Sequence, residues 1–181
     1  MVIFKNLTAQ DMTEDLLLGF HHHQKITNKW IRNQERWEII KFDDLRTWNT
    51  EKRIWISGYL CQQVRQGGAA VAAIDGEKLV GFCCIDGGLK GKTANYANLT
   101  MLFVDDNWKR KGIGRELFRL ICRCAQARKA YKLFISAIPS VETIAFYFSL
   151  GCVDAREMIP DYIDTEQDRC LEFALAEIDH E

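Results

Sequence analysis

The stretch from Leu99 to Glu116, LTMLFVDDNWKRKGIGRE, constrains the fold more than any other part of the chain. It opens as an apolar run, Leu99, Met101, Leu102, Phe103 and Val104, whose length and composition suit a buried strand. Asp105, Asp106 and Asn107 turn the chain into Trp108, Lys109, Arg110, Lys111 and Gly112. From Ile113 the apolar residues return at helical spacing, at Leu117, Phe118, Leu120, Ile121 and Cys124. The order is strand, basic glycine-bearing turn, helix. It leaves unpaired backbone N–H groups and the positive end of a helix dipole at one point. Gly112 and Gly114 let backbone approach an anion there, and Lys109, Arg110, Lys111 and Arg115 surround it with cations. A phosphate-bearing ligand is the natural reading.

Three kinds of phosphate-bearing ligand use such a turn. A dinucleotide would use G-x-G-x-x-G, but Leu117 occupies the third glycine position, and no ribose-binding acid stands about 20 residues on, near Phe134. A nucleotide loop is approached at Gly87-Gly88-Leu89-Lys90-Gly91-Lys92-Thr93. That segment has too few residues between its glycines and leads into a strand, so a polar hairpin loop over Gly87–Lys92 is expected instead. The third reading is carried by Lys109-x-x-Gly112-x-Gly114, joined downstream by Ser140, Thr143, Phe146, Tyr147, Leu150 and Gly151.

These two segments resemble the acetyl-CoA pyrophosphate loop and the second motif of the GNAT acetyltransferase superfamily. The resemblance covers about Leu99–Cys152, and its flanking pattern extends from about Ala69 to the C-terminus. It implies an α/β fold, a central mixed and mostly antiparallel sheet flanked by helices, in one domain. Residues 1–68 would supply an N-terminal strand and acceptor-side helices, and 69–181 the acetyl-CoA-binding core. It also implies that the strands Asn98–Val104 and Leu133–Ile138 splay apart. Backbone groups of Leu102, Phe103 and Val104 would then meet the thioester and pantetheine arm. Lys109, Arg110, Lys111, Gly112, Ile113, Gly114 and Arg115 would hold the pyrophosphate, with Ser140 and Phe146 beside the arm. Tyr147 falls at the family's general-acid position, and a phenol of pKa about 10 is matched to a thiolate leaving group. The sequence departs from the family pattern at Lys109 for Gln or Arg, Arg110 for a common Gly, Ser140 for Asn, Thr143 for Ala and Cys152 for Phe. Arg110 fits if its φ is negative.

Formal net charge is −1 over 181 residues, so nothing global points to nucleic acid. No apolar run approaches the length of about 20 residues needed to span a membrane. Met1–Asn6 lacks a basic segment followed by an apolar one, so a cytoplasmic location is expected. The seven cysteines sit in apolar segments and read as reduced thiols, with no ligand set for a metal.

Along the chain, Val2–Thr8 reads as a strand and Met12, Leu16, Leu17 and Phe20 as a helix face, with His21–His23 at the solvated helix end. Trp30–Trp48 combines Trp30, Trp37 and Trp48 with Glu35, Glu38, Asp43 and Asp44. It suits either an aromatic, acidic wall for an amine or a helix hairpin anchored to the sheet. A helix over Thr50–Arg65 ends at Gly67-Gly68, and Ala69–Ile74 with Lys78–Ile85 forms a hairpin in which Gly81 marks a bulge or close approach. A helix over Val141–Leu150 closes at Gly151, and Cys152–Met158 and Arg169–Ala176 read as the last strands.

The expected activity is acetyl transfer from acetyl-CoA to a primary amine of a small molecule. A protein N-terminus or lysine is the alternative acceptor, and a non-catalytic acyl-CoA sensor the alternative function. The group that deprotonates the amine is left open among Glu35, Glu38, Asp43, Asp44, the 161–168 connector and a water chain. Exposed sheet edges make a homodimer plausible.

Overall fold

Alternation of Val71 and Ala73 against Ala70 and Ala72 gives one strand two buried faces, and the sheet is built outward from it. The computed structural model describes residues 1–93 and 95–175. In chain order the elements are β1 (Val2–Asn6), β2 (His23–Asn33), β3 (Arg36–Thr47), α1 (Thr50–Arg65), β4 (Ala69–Asp75), β5 (Lys78–Lys90) and β6 (Tyr96–Val104). There follow α2 (Ile113–Ala127), β7 (Lys132–Ala137), α3 (Val141–Ser149), β8 (Val153–Asp154) and β9 (Arg169–Ala174). Seven strands form one sheet in the order β1-β4-β5-β6-β7-β9-β8, while β2 and β3 form a separate ribbon. Among the described residues of the large sheet, only β6 and β7 run parallel. The mixed, mostly antiparallel sheet with flanking helices is the architecture expected from the sequence.

The two faces of the sheet carry different layers. On one, α2 presents Ile113, Leu117, Phe118, Ile121 and Cys122, packed with Val71, Cys83, Leu99, Ile135 and Tyr147. On the other, Ile56 and Leu60 of α1 pack with Leu17, Phe20, Phe82 and Cys84. Each fully buried aliphatic of this kind stabilises the fold by roughly 1.5–3 kcal/mol before chain entropy is counted. Gly81 lies at a β4–β5 register shift. A Cβ there would stand 3.0 Å from both Ile113 Cγ2 and Leu117 Cδ1, so glycine is what lets α2 sit down on β5.

Several expected elements differ. Residues 9–19 form successive turns, closed by Leu16 N–H to Thr13 O, Leu18 N–H to Asp15 O and Phe20 N–H to Leu17 O, and not a helix. Leu17 and Phe20 are still fully buried, so burial was legible but the three-residue bond spacing was not. Consequently His21–His23 do not end a helix. The backbone N–H groups of His21 and His23 are held by the Asp105 and Asp106 carboxylates, at 2.8 and 2.7 Å. The 30–48 region is the β2–β3 ribbon, so residues 1–68 contribute one helix and not several. β5 continues through the expected loop to Lys90, and the expected strand 152–158 shrinks to Val153–Asp154. Ala176 lies outside the described residues.

A buried arginine fastens the ribbon to the sheet. Arg169 on β9 forms a two-pronged ion pair with Asp154, at 2.7 and 2.8 Å. Its guanidinium carbon lies 4.9 Å from the Trp30 ring, 4.4 Å from Trp37 and 5.0 Å from Phe148. Trp30 N–H also donates to Pro139 O at 2.7 Å, which ties β2 to the start of α3. Trp30 and Trp37 therefore anchor this segment, but as part of a strand ribbon and not of the expected helix hairpin.

Candidate active site

The parallel pair β6–β7 is short. It registers Tyr96 with Lys132, Ala97 with Leu133 and Asn98 with Phe134, after which β6 runs on to Val104 and β7 to Ala137 without further pairing. The strands thus splay where the resemblance implied. The half-buried residues Leu102, Phe103 and Val104 lie on the stretch of β6 that still pairs with β5 but has left β7. Leu102 and Val104 pack toward the α2 layer and Phe103 toward the α1 layer.

At the end of β6 the chain makes a 3₁₀ turn, Asp106–Trp108, and enters α2 through Gly112 at φ +80°. Gly112 has no side chain to cap the helix, and the first intrahelical bond here is Glu116 N–H to Gly112 O at 3.1 Å. The N–H groups of Ile113, Gly114 and Arg115 consequently lack helical acceptors and point out of a 15-residue helix. Lys109, Arg110, Lys111 and Arg115 are all exposed around them. Lys109 Nζ pairs with Asp106 at 2.5 Å, and Lys111 Nζ sits 4.3 Å above the Trp108 ring. Arg110 adopts φ +64°, not the negative φ expected of a non-glycine residue. The loop demands a left-handed residue there, which explains why glycine suits the position.

Asp105 anchors this loop from beneath. It is wholly buried, and its carboxylate accepts from His21 N–H at 2.8 Å and Asn107 N–H at 2.9 Å, with Lys78 Nζ at 3.9 Å. Burial pushes its pKa up, but the two backbone donors and Lys78 outweigh burial and hold it below the usual range.

The α3 residues gather on the other side of the splay. Ser140 is fully buried and caps α3, accepting from Thr143 N–H at 3.2 Å and donating to Thr143 Oγ1 at 2.8 Å. Gln24 Nε2 donates to both hydroxyls, at 3.3 and 3.1 Å. Phe146 packs over the anion loop: a Cβ on Gly114 would stand 3.2 Å from its Cζ and 3.6 Å from Val104 Cγ2. Tyr147 is buried at 7% exposure, its ring 5.3 Å from Phe146 and 6.3 Å from Phe118. Burial, with Cys152 and Cys83 nearby, pushes its hydroxyl well above the ordinary range, so it is a protonated phenol at neutral pH.

On the α1 face of the splay lies a cleft of about 560 Å³, lined by His22, Arg46, Trp48, Lys52, Phe103 and Ile138 among others. His22 is buried, its ring stacked 4.3 Å from Trp48 and set edge-on to Phe103 at 5.1 Å. Burial, followed by the Lys109 ammonium, lowers its pKa to about 4 against the opposing pull of Asp106, so the imidazole is neutral at pH 7. Sequence reasoning missed His22, Arg46 and Lys52, which converge from three separate segments. None of the carboxylates Glu35, Glu38, Asp43 and Asp44 lines the cleft: Asp44 is turned to Arg46, and Asn33 donates to Glu38. The Gly87–Thr93 segment holds no anion cradle either, because Lys92 and Thr93 N–H donate to the carboxylate of Glu157.

The family model described as "Acetyltransferase (GNAT) family" matches residues 24–151. The chain belongs to the GNAT acetyltransferase family. Among solved structures, nourseothricin acetyltransferase is similar at 12% identity and TM-score 0.66, covering 94% of this chain and 95% of that one. Aminoglycoside 6'-acetyltransferase type Ii aligns at 16% identity and TM-score 0.61, over 99% of each chain. The PaiA N-acetyltransferase of Thermoplasma acidophilum, in complex with coenzyme A, aligns at 13% identity and TM-score 0.59, over 96% and 99%. At these identities the likeness is one of fold. No curated protein matches the sequence.

Proposed function

We propose that this protein is an acetyl-CoA-dependent N-acetyltransferase acting on a primary amine of a small molecule. The observation that carries the reading is the splay of β6 from β7 beside the uncapped start of α2. It is supported by family membership and by fold relatives named as nourseothricin and aminoglycoside acetyltransferases or bound to coenzyme A.

The residues fit acetyl-CoA. The free N–H groups of Ile113, Gly114 and Arg115, with Arg110, Lys111 and Arg115 as cations, would hold the pyrophosphate. Gly114 and Phe146 together leave backbone, and not a side chain, facing it. Over Leu102, Phe103 and Val104, which pair with β5 alone, the backbone groups directed away from β5 would receive the arm and polarise the thioester carbonyl. Ser140, its hydroxyl occupied by the α3 cap, shapes the wall of that groove through the backbone. The thioester supplies the activated acetyl group. Tyr147, kept protonated by burial, gives its proton to the departing sulfur. His22, neutral within the cleft, takes the proton that the amine loses. Arg46, Lys52 and Lys109 assist by disfavouring a further positive charge, which lowers the pKa of a bound ammonium. Holding both reactants in one groove contributes much of the acceleration.

Titration calorimetry with acetyl-CoA tests the cofactor, run beside Lys111→Glu and Arg115→Glu. Binding by the wild type that the reversals weaken upholds the reading, and no binding overturns it. Coenzyme A release across an amine panel, followed by mass spectrometry, then separates an enzyme from a sensor. In an enzyme Tyr147→Phe lowers kcat and leaves acetyl-CoA affinity in place.

A further inference from the structure

The cleft that faces the splay is basic, which an acceptor recognised only through its ammonium group would not explain. Arg46 stands at the end of β3 and Lys52 in the first turn of α1, both bordering the cleft. The start of α1 borders it as well. Asn49 caps that 16-residue helix by accepting from Lys52 N–H at 2.9 Å, and Arg53 N–H donates to Asn49 O at 3.2 Å. Thr50 and Glu51 N–H lie before the first helical bond, so the positive end of the helix adds to the two cations. No carboxylate lines the cleft among the described residues. The acids on the flanking segments are committed or turned outward. Asp44 accepts from Arg46 Nε at 3.1 Å and so leaves the two Nη groups, Asp106 pairs with Lys109 and His23, and Glu51 is exposed. Lys52 Nζ lies 3.8 Å over the Trp55 ring, a contact with no counter-ion in it.

We infer that the acceptor is a small amine that also carries an anionic group, a carboxylate or a phosphate, which docks against Arg46, Lys52 and the first turn of α1. This rests on the acetyltransferase reading and narrows its substrate class. The potential that would attract such a group is already felt inside the cleft. Burial does most to hold the His22 imidazole neutral, and Lys109, His23 and Arg46, which face it with Asp106 as the opposing charge, add to that effect. An anion bound beside Arg46 offsets the cationic part of that effect and raises the His22 pKa. A dication such as a plain diamine meets the same potential as repulsion.

The test has two arms on the full chain. In the first, the His22 ring is followed by NMR while N-acetyl-β-alanine or its uncharged carboxamide is added. The acid is expected to raise the His22 pKa and the amide to leave it, and Arg46→Gln/Lys52→Gln is expected to remove the response to the acid. In the second, kcat/KM is compared within matched pairs, β-alanine against β-alaninamide and phosphoethanolamine against ethanolamine. A preference for the anionic member of about tenfold or more is expected, the loss of one charge-assisted contact being worth about that factor. The double variant should bring the ratio down through KM. The pair with the larger ratio tells carboxylate from phosphate. Equal His22 responses to acid and amide, or a preference for the uncharged or dicationic amine, overturns the inference. Failure of the acetyltransferase reading shows separately, as absence of acetyl-CoA binding by calorimetry, and the first arm then decides alone. The double variant's acetyl-CoA affinity, measured alongside, distinguishes lost anion recognition from a lost fold.

Discussion

Replacing Asp105 by Asn tests how the anion loop is held. The side chain keeps its shape, but one acceptor oxygen becomes an NH₂ group. In the wild type the two carboxylate oxygens accept from two different backbone donors, His21 N–H at 2.8 Å and Asn107 N–H at 2.9 Å, at a residue with no exposed surface. Asparagine can satisfy one of them and sets a donor against the other. The loss of one charge-assisted bond at a buried site costs about 2 kcal/mol. For a chain of this size that lowers Tm by roughly 4–8 °C. Differential scanning calorimetry at pH 7 measures it. The pH dependence supplies a second check. Because the folded-state pKa of Asp105 is depressed, its contribution is fully present above the unfolded value of about 3.9. It is lost as pH falls through the lower folded value. The gap between wild type and variant should therefore be flat near neutrality and close on acidification below about pH 4. A Tm difference under about 1 °C at pH 7, or one that persists unchanged in acid, would refute the account of Asp105 as an ionised anchor.

Three further perturbations follow from the same geometry. Gly114→Ala drives a methyl group into the Phe146 ring at 3.2 Å, so acetyl-CoA affinity by calorimetry should fall about tenfold while the fold loses only about 1 kcal/mol. Arg110→Gly relieves a left-handed backbone at φ +64° and should raise Tm by about 2–4 °C, even as it removes one cation from the loop. Arg169→Ala removes the guanidinium that Trp30, Trp37 and Phe148 enclose and leaves Asp154 unpaired. It should cost about 3 kcal/mol and speed hydrogen exchange in β2 and β3 more than in β4 and β5, and equal exchange in both regions would count against its anchoring role.

What could be read without coordinates was local. The strand–loop–helix at Leu99–Glu116 announces itself because its periods change within a few residues, and α1 has both its bounds in the sequence. The β2–β3 ribbon does not. Ile26 is its one fully buried side chain, and its two-residue turn is made by Gln34 at φ +54° without the usual glycine or asparagine. The ribbon is stable because Arg169, far along the chain, reaches it, and no window of sequence contains that contact. The same holds for the cleft. His22 looks like one of three histidines in a row until Trp48 and Phe103 enclose it, and Arg46 and Lys52 look like surface charges until α1 and β3 meet.

The three-rung seam between β6 and β7 also changes the count of edges in the sheet. An ordinary open sheet has two, and here they are short, five residues in β1 and two in β8, which leaves little for another chain to pair with. The seam adds two more, facing each other inside the molecule and diverging too fast to pair together. Their backbone groups face a gap within the sheet and not its rim. What would be an aggregation hazard on the rim is, at the centre, the edge to which the proposed function fits its thioester.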